Sequence, residues 1–518
     1  MVISKVAGTI TYFRPMDRSV LFVVTLLAGF VSKAQDPQDT EFRGVWIATI
    51  NNIDWPPVGE LRPEKQKAAF IELLDYYESL NFNAVIVQIR PSGDAFYPSE
   101  LAPWSRFLTG EEGNKGKWTS DPLNFMIQES HKRGMEFHAW LNPYRASCNR
   151  DVRAMSTRNL FFQKQEWVVP FGTRYYLDPG IPEAQDYIVG VVDEVISNYD
   201  VDAIHFDDYF YPYPIEGEGF NDRASFVKYG IGQFEERADW RRSNVDSLVK
   251  KVSNHIRKKK PEVRFGISPF GVWRNIDQDR RGSRTNAAHT TYDDLYADAL
   301  SWIDNEWVDY LAPQLYWSSY FDKAPYPVLA KWWHRYGQEV DIYIGHGMYK
   351  VGEDSDRVWN DLNEIPRQIA WNRSLVGIHG SIFYSARSLQ QYPMLAEKLR
   401  KEVFTEKVNP AISFERTNLG APNIKNARAV RNTLFIDLDL KGLEREVESV
   451  AILSSKGNKP AKLLLEQKIG SVPGIQLALY GEKMDIVVTY LNEDHQMGES
   501  SEIISIEKEN GRWEVSLF

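Results

Sequence analysis

From Phe42 onward the chain alternates short apolar runs with longer amphipathic stretches. The apolar runs are Phe42–Ile50, Ala84–Ile89, Glu136–Leu141, Ala203–Phe206, Arg264–Ile267, Val308–Leu315, Ile342–Gly345 and Gly377–Phe383. Most are continuously apolar rather than alternating, the pattern of parallel strands covered on both faces. Between them, Lys65–Leu80 sets Ala68, Ala69, Leu73, Tyr76, Tyr77 and Leu80 near one helical face. Asp121–Arg133 opens on Asp-Pro and stops before Gly134, which are helix start and stop signals. Pro182–Tyr199, Ser243–Lys259, Thr291–Asn305 and Pro393–Val403 read the same way. Eight strands with helices between them predict an α/β chain closed into a (β/α)8 TIM barrel over 35–405.

After about residue 405 the rhythm changes. Thr433–Leu440, Val447–Leu453, Ile475–Leu479, Met484–Tyr490, Glu502–Glu507 and Arg512–Leu517 are short alternating segments separated by turn residues such as Ser455–Lys456–Gly457–Asn458. This predicts a small all-β accessory domain over 420–518, a β-sandwich of immunoglobulin or fibronectin type.

The N-terminus departs from both patterns. Arg14 and Arg18 precede the apolar run Val20–Val31, and Ser32-Lys33-Ala34 supplies small residues before Gln35. The run is short for a membrane span. It predicts a signal peptide over 1–34 and a mature chain without a membrane span, periplasmic or extracellular. An uncleaved anchor is the alternative. A net charge of −10 argues against nucleic-acid or anionic-membrane partners, both of which need a basic footprint. The single cysteine, Cys148, builds neither a disulfide framework nor a cysteine metal site. Oligomeric state is not legible.

Placing motifs at the C-terminal strand ends, where such barrels keep their chemistry, assembles one face. Strand one leads to Thr49, Asn51 and Asn52; strand two to Gln88, Arg90 and Asp94. Strand three carries His138, Trp140 and Asn142 in period two, then Tyr144 and Arg145. Strand four carries His205 and Asp207, then Asp208, Tyr209 and Tyr211. Strand five leads to Ser268, Phe270 and Trp273; strand six to Gln314, Tyr316 and Trp317; strand seven to His346 and Tyr349; strand eight to Tyr384. Residues of one parity share a face, so His138, Trp140, Asn142, His205, Asp207, Gln314 and Tyr316 are expected to point into the barrel mouth. Rings that stack on sugar faces and side chains that bond hydroxyls fit a saccharide groove. Any one of them, taken singly, also fits a satisfied core residue.

Glycoside hydrolysis uses carboxyl groups as proton donor and as nucleophile or base. Asp207 and Asp208 are the candidates, because burial and a like-charged neighbour raise one pKa, as an acid requires. Adjacent residues share a site only where the strand is already breaking, which the following YFYPYP supports. Asp94 and Asp178 are reserve partners. A His205/Asp207/His138 metal site is the rival for the cluster. With no HxH or HExxH pair, no metal and no cofactor are expected. A non-catalytic carbohydrate-binding protein is the alternative from another class.

The segments EFRGVWIATINNIDWP, FNAVIVQIRPSGDAFYPSELAPWSRFLTG, FHAWLNPYR, YLDPGIPEAQDYI, DAIHFDDYFYP and DYLAPQLYW resemble the glycoside hydrolase family 10-like proteins of the bacterial envelope. The resemblance spans Glu41 to Arg400. It implies a TIM-type barrel with glycosidase activity in cell-wall turnover, including cleavage of peptidoglycan strands stripped of stem peptides. It carries over Asp207 and Asp208 as catalytic acids and Arg90, Asp94, Asn142, Tyr144, Gln314, Tyr316 and Trp317 as groove residues. The fourth strand is also faintly similar to the family 18 chitinases. Asp202 and Asp207 fit two of their acids, while His205 and Tyr209 stand where that motif has an Asp and its proton-donating Glu.

Overall fold

The structure is a computed structural model that describes residues 40–517, except 338, 376, 411–412, 417–418, 440–446, 457–458, 469–473, 480–482, 493–495 and 510. The segment read as an export signal lies outside the described residues. Eight parallel strands close a barrel: β1 (Phe42–Ile47), β2 (Ala84–Arg90), β3 (Glu136–Leu141), β4 (Ala203–Phe206), β5 (Arg264–Ile267), β6 (Tyr310–Leu311), β7 (Asp341–Gly347) and β8 (Ile378–Tyr384). Each pairs with its neighbours in sequence, and β8 closes on β1 with Phe42 opposite Gly380. The expected β/α barrel is present.

Among the strands the largest boundary difference is at β6, expected over Val308–Leu315. Pro313 has no N–H for the ladder, so the strand stops after Leu311 and bridging resumes at Gln314, which pairs with Phe270 and Gly345. The stretch Thr291–Asn305 forms two short helices, Thr291–Asp294 and Ala299–Asp304, rather than one. The helix expected from Ser243 begins six residues earlier, at Arg237. Helices Tyr326–Tyr336 and Glu364–Arg373, and the hairpin Val168–Phe171 with Arg174–Leu177, were not read from the sequence.

Parity sorts the strand residues into two cores. Phe42, Trp46, Ile86, Trp140, Tyr310, Tyr343 and Ile382 pack inside the barrel, while residues of the other parity face the helices. The interior is tight: at Gly266 a Cβ would sit 1.9 Å from the Tyr310 ring, so only glycine fits there. Polar groups run through this interior as one hydrogen-bonded chain. Trp46 Nε1 donates to His205 Nε2 at 3.2 Å. An indole donates only, so His205 carries its proton on Nδ1, 2.9 Å from the Tyr310 hydroxyl. That hydroxyl is 2.8 Å from His138 Nδ1, and His138 Nε2 is 2.8 Å from Glu136 Oε2. Burial holds His205 well below the usual imidazole range, with the nearby His138 adding to the effect, so it stays neutral.

At the opposite end of the barrel Glu41 accepts from Arg43 Nε at 2.7 Å and from Arg373 Nε at 2.8 Å and Nη2 at 2.7 Å. Burial pushes its carboxyl up, but the two guanidinium groups outweigh this and hold it below the usual range.

The C-terminal region is all-β. A three-stranded sheet (Asn423–Val430, Thr433–Asp439, Ile475–Ala478) and a seven-stranded sheet built around Ser449–Lys456 and Lys483–Leu491 share one apolar core that includes Leu434, Ile436, Ile452 and Val488. The all-β character of this region is the one expected. Strands at Asn423–Val430, Lys459–Lys468 and Gln496–Ser500 are additional to the sequence reading. Among the described residues no helix is long and apolar enough to cross a membrane.

Candidate active site

The C-terminal strand ends surround a pocket of about 500 Å³. Asp207 and Asp208 lie on its wall, one and two residues beyond the end of β4, where the strand has already broken. That break lets sequence neighbours face one cavity. The Asp208 backbone N–H donates to Asp207 Oδ1 at 2.8 Å. Asn142 Nδ2 donates to Asp207 Oδ2 at 2.8 Å. The orientation of Asn142 is set in turn. Gln88 Nε2 donates to its Oδ1 at 2.6 Å, while Gln88 Oε1 accepts from the Thr49 and Ile50 N–H groups at 3.0 and 2.9 Å. A chain of amides therefore crosses β1 to β4 and ends on Asp207.

Asp208 accepts a short hydrogen bond from the Tyr213 hydroxyl. Burial pushes its carboxyl well above the usual range, and the adjacent Asp207 pushes it further. Both oxygens of Asp207 accept from fixed donors, so Asp208 is the member of the pair that keeps a proton. The pair can present an acid and a hydrogen-bond acceptor to one bound molecule.

Rings form the walls. Trp140, Tyr209, Gln314, Tyr316, Trp317 and Tyr384, all among the candidate groove residues, line the pocket. Tyr316 and Tyr384 stack with ring centroids 6.1 Å apart, and Phe270 meets Trp317 edge to face at 5.3 Å. Asp54 ties the end of β1 to the chain after β8. It accepts from Ala48 N, Ser385 Oγ and Arg387 N, each at 2.7 Å, and burial pushes its carboxyl up to about 6.

Several expected groove residues stand elsewhere. Asn142 is fully buried behind Asp207 and does not line the pocket. His205 and His138 have the inward parity expected but lie deeper in the barrel, and both nitrogens of each ring are committed to the interior chain. The His205/Asp207/His138 metal set is thus not assembled. Among the described residues no group of three or more His, Cys, Asp or Glu is placed to hold a metal ion.

Arg90 follows a register shift after Gln88 that turns it out of the barrel, where its guanidinium packs on Tyr187 at 5.6 Å. Asp94 closes its own loop by accepting from Ser92 N and Oγ. Tyr144 is buried in the outer apolar core. His346 has the outward parity on β7 and binds Gln368 and Ser381 at 2.8 and 2.9 Å. Asp178 accepts from Gly180 N and Ser225 Oγ away from the pocket.

The pocket also holds residues outside the expected set. Trp46 could have been found by parity, since it shares a face with Phe42 on β1. Tyr213 lies in the YPYP loop. Arg174 comes from the inserted hairpin, and its neighbourhood carries no local signal for a barrel mouth.

A profile of the family described as glycosyl hydrolase-like 10 matches residues 41–361. Glycosyl hydrolase YngK of Bacillus subtilis (strain 168) is 42% identical over 468 residues, covering 87% of this chain and 90% of that protein. Glycosyl hydrolase DigH of Escherichia coli (strain K12) is 41% identical over 386 residues, covering 70% of this chain and 87% of that protein. Among solved structures, the PgaB (BpsB) glycoside hydrolase domain from Bordetella bronchiseptica aligns with 70% of this chain and 98% of that chain at 13% identity and a TM-score of 0.45. On the family match and the length over which these relatives align, the chain belongs to the glycosyl hydrolase-like 10 family.

Proposed function

We propose that this protein is an exported glycoside hydrolase that cleaves glycosidic bonds in a bacterial cell-wall glycan, namely peptidoglycan strands freed of their stem peptides. Asp208 is the proton donor and Asp207 its partner. The observation that carries this reading is the carboxyl pair in an aromatic pocket, where burial and the neighbouring Asp207 push the Asp208 carboxyl well above the usual range. A neutral carboxylic acid at working pH is what a glycosidic leaving oxygen needs.

The shared pocket wall of the two carboxyl groups bears on mechanism. Acids that flank a glycosidic bond stand about 5–5.5 Å apart in retaining enzymes and about 6.5–9.5 Å apart in inverting ones. Asp207 and Asp208 are sequence neighbours on one pocket wall, tied by the Asp208 N–H to Asp207 Oδ1 bond, and in this reading they act from one side of the bond. In this reading the substrate's own 2-acetamido oxygen attacks the anomeric carbon, a route known for substrate-assisted glycosidases. Asp207 accepts from the acetamide N–H and orients it. Asp208 gives its proton to the departing oxygen, and water later opens the cyclic intermediate and returns that proton. N-acetylated cell-wall sugars carry the required group.

The test is to incubate the protein with glycan strands stripped of stem peptides and follow new reducing ends by mass spectrometry. Shortened strands with the wild type, and none with Asp208→Asn, are expected. Binding by the wild type without any new reducing end would overturn the reading in favour of a carbohydrate-binding protein.

A further inference from the structure

The pocket that holds the two aspartates also holds two guanidinium groups that proton donation does not use. Arg145 follows β3 and is 4% exposed. Its Nη1 donates to the Pro91 carbonyl at 3.2 Å, and its guanidinium lies 4.6 Å over the Tyr209 ring. Arg174 reaches the same pocket from the inserted hairpin, its Nε fixed on the Cys148 carbonyl at 3.2 Å. The hairpin is pinned beside Arg145: Arg145 bridges to Tyr176, Ala146 N donates to Tyr175 O at 3.0 Å, and Leu177 N donates to Tyr144 O at 2.8 Å.

Neither guanidinium is paired with a carboxylate among the described residues. The Asp207 and Asp208 oxygens accept from Asn142, the Asp208 N–H and Tyr213 rather than from either arginine. The third cation on the wall, Lys350, is already neutralised by Asp354 at 2.7 Å. In a chain of net charge −10, two unpaired, pre-positioned guanidinium groups in one pocket are a local positive site. Planar guanidinium forks match carboxylate geometry and are less strongly hydrated than ammonium groups.

We infer that Arg145 and Arg174 form a subsite for the carboxylate of an acidic sugar, so that the glycan recognised carries a free carboxyl group on the residue bound beside Asp207 and Asp208. This rests on the glycan-cleaving reading and refines its substrate. The carboxylate can come from a lactyl ether, exposed once a stem peptide is removed, or from a uronic acid ring.

The test compares binding by calorimetry and cleavage by reducing-end release on four probes. These are lactyl-bearing strands without stem peptides, the same strands amidated with carbodiimide and ammonia, oligosaccharides of alternating N-acetylglucosamine and glucuronic acid, and neutral chitooligosaccharides. Tighter binding of a carboxylate probe than of the amidated and neutral probes, by about 10-fold or more, is expected from charge-assisted hydrogen bonds. The preference should shrink with added salt and fall towards unity in Arg174→Gln. Arg174 is half-buried, so this variant complements the more deeply packed Arg145→Gln. Whichever acidic probe is preferred identifies the carboxylate source. Cleavage without carboxylate preference overturns the subsite and leaves the hydrolase reading standing. Arginine-dependent carboxylate binding without cleavage by the wild type does the reverse.

Discussion

Asn142 Nδ2 donates to Asp207 Oδ2 at 2.8 Å, and the carboxylate it fixes lies against the acid that burial keeps protonated, Asp208. Orientation of one carboxylate and protonation of the other are thus linked through adjacent residues.

Asp208→Asn should lower kcat by about 10²–10⁴-fold, the range expected when a positioned proton donor is lost. The pH–rate profile of the wild type should fall on its alkaline side well above the ordinary carboxylate range, where Asp208 gives up its proton. Stability carries the same signature. The folded state holds a proton that the unfolded chain releases near the ordinary carboxylate pKa, so stability declines as pH rises from there through the folded value. Thermal melts across pH should show this decline in the wild type and less of it in Asp208→Asn.

Asn142→Leu removes the donor to Asp207 and leaves the Gln88 amide without its acceptor. A carboxylate free to swing should cost about 10²-fold in kcat through misplacement. KM should change little, because Asn142 does not line the pocket. Steady-state kinetics separates the two parameters, and a loss confined to KM would contradict the positioning role.

His205→Phe strands the Trp46 indole N–H inside the barrel and leaves the Tyr310 hydroxyl with His138 as its remaining partner. Each orphaned buried group costs about 1–3 kcal/mol. A denaturant midpoint well below that of the wild type is expected, together with weaker glycan binding as the Trp46 platform loosens.

Glu41→Gln leaves Arg43 and Arg373 at the far end of the barrel without their shared carboxylate. Removing one partner of a buried ionic group typically costs about 3–5 kcal/mol. The stabilisation is present above the ordinary glutamate pKa and is lost as pH falls through the lowered folded value. Melting curves should therefore separate wild type from Glu41→Gln at neutral pH and converge in acid.

The barrel was legible because its strands are buried on both faces and its helices on one, which writes a repeating apolar rhythm into the chain. Parity along each strand also identified the inward-facing set. What parity does not encode is depth. His138, Trp140 and Asn142 share a face of β3, yet only Trp140 lines the pocket; His138 lies within the interior chain and Asn142 behind Asp207. Nor does it survive irregularity: the register shift after Gln88 turned Arg90 away from the barrel, and Pro313 cut β6 short.

By itself the sequence determined the alternation of strands and helices, the change to an all-β region and the placing of Asp207 and Asp208 at a strand end. Those features depend on neighbours a few residues apart. Only the tertiary structure decided that the two carboxyl groups share one pocket, that Asn142 aims Asp207, and that Arg174 arrives from an inserted hairpin to stand in the same pocket as Arg145. Those relationships depend on backbone breaks and on contacts between distant segments, and local spacing carries no record of either.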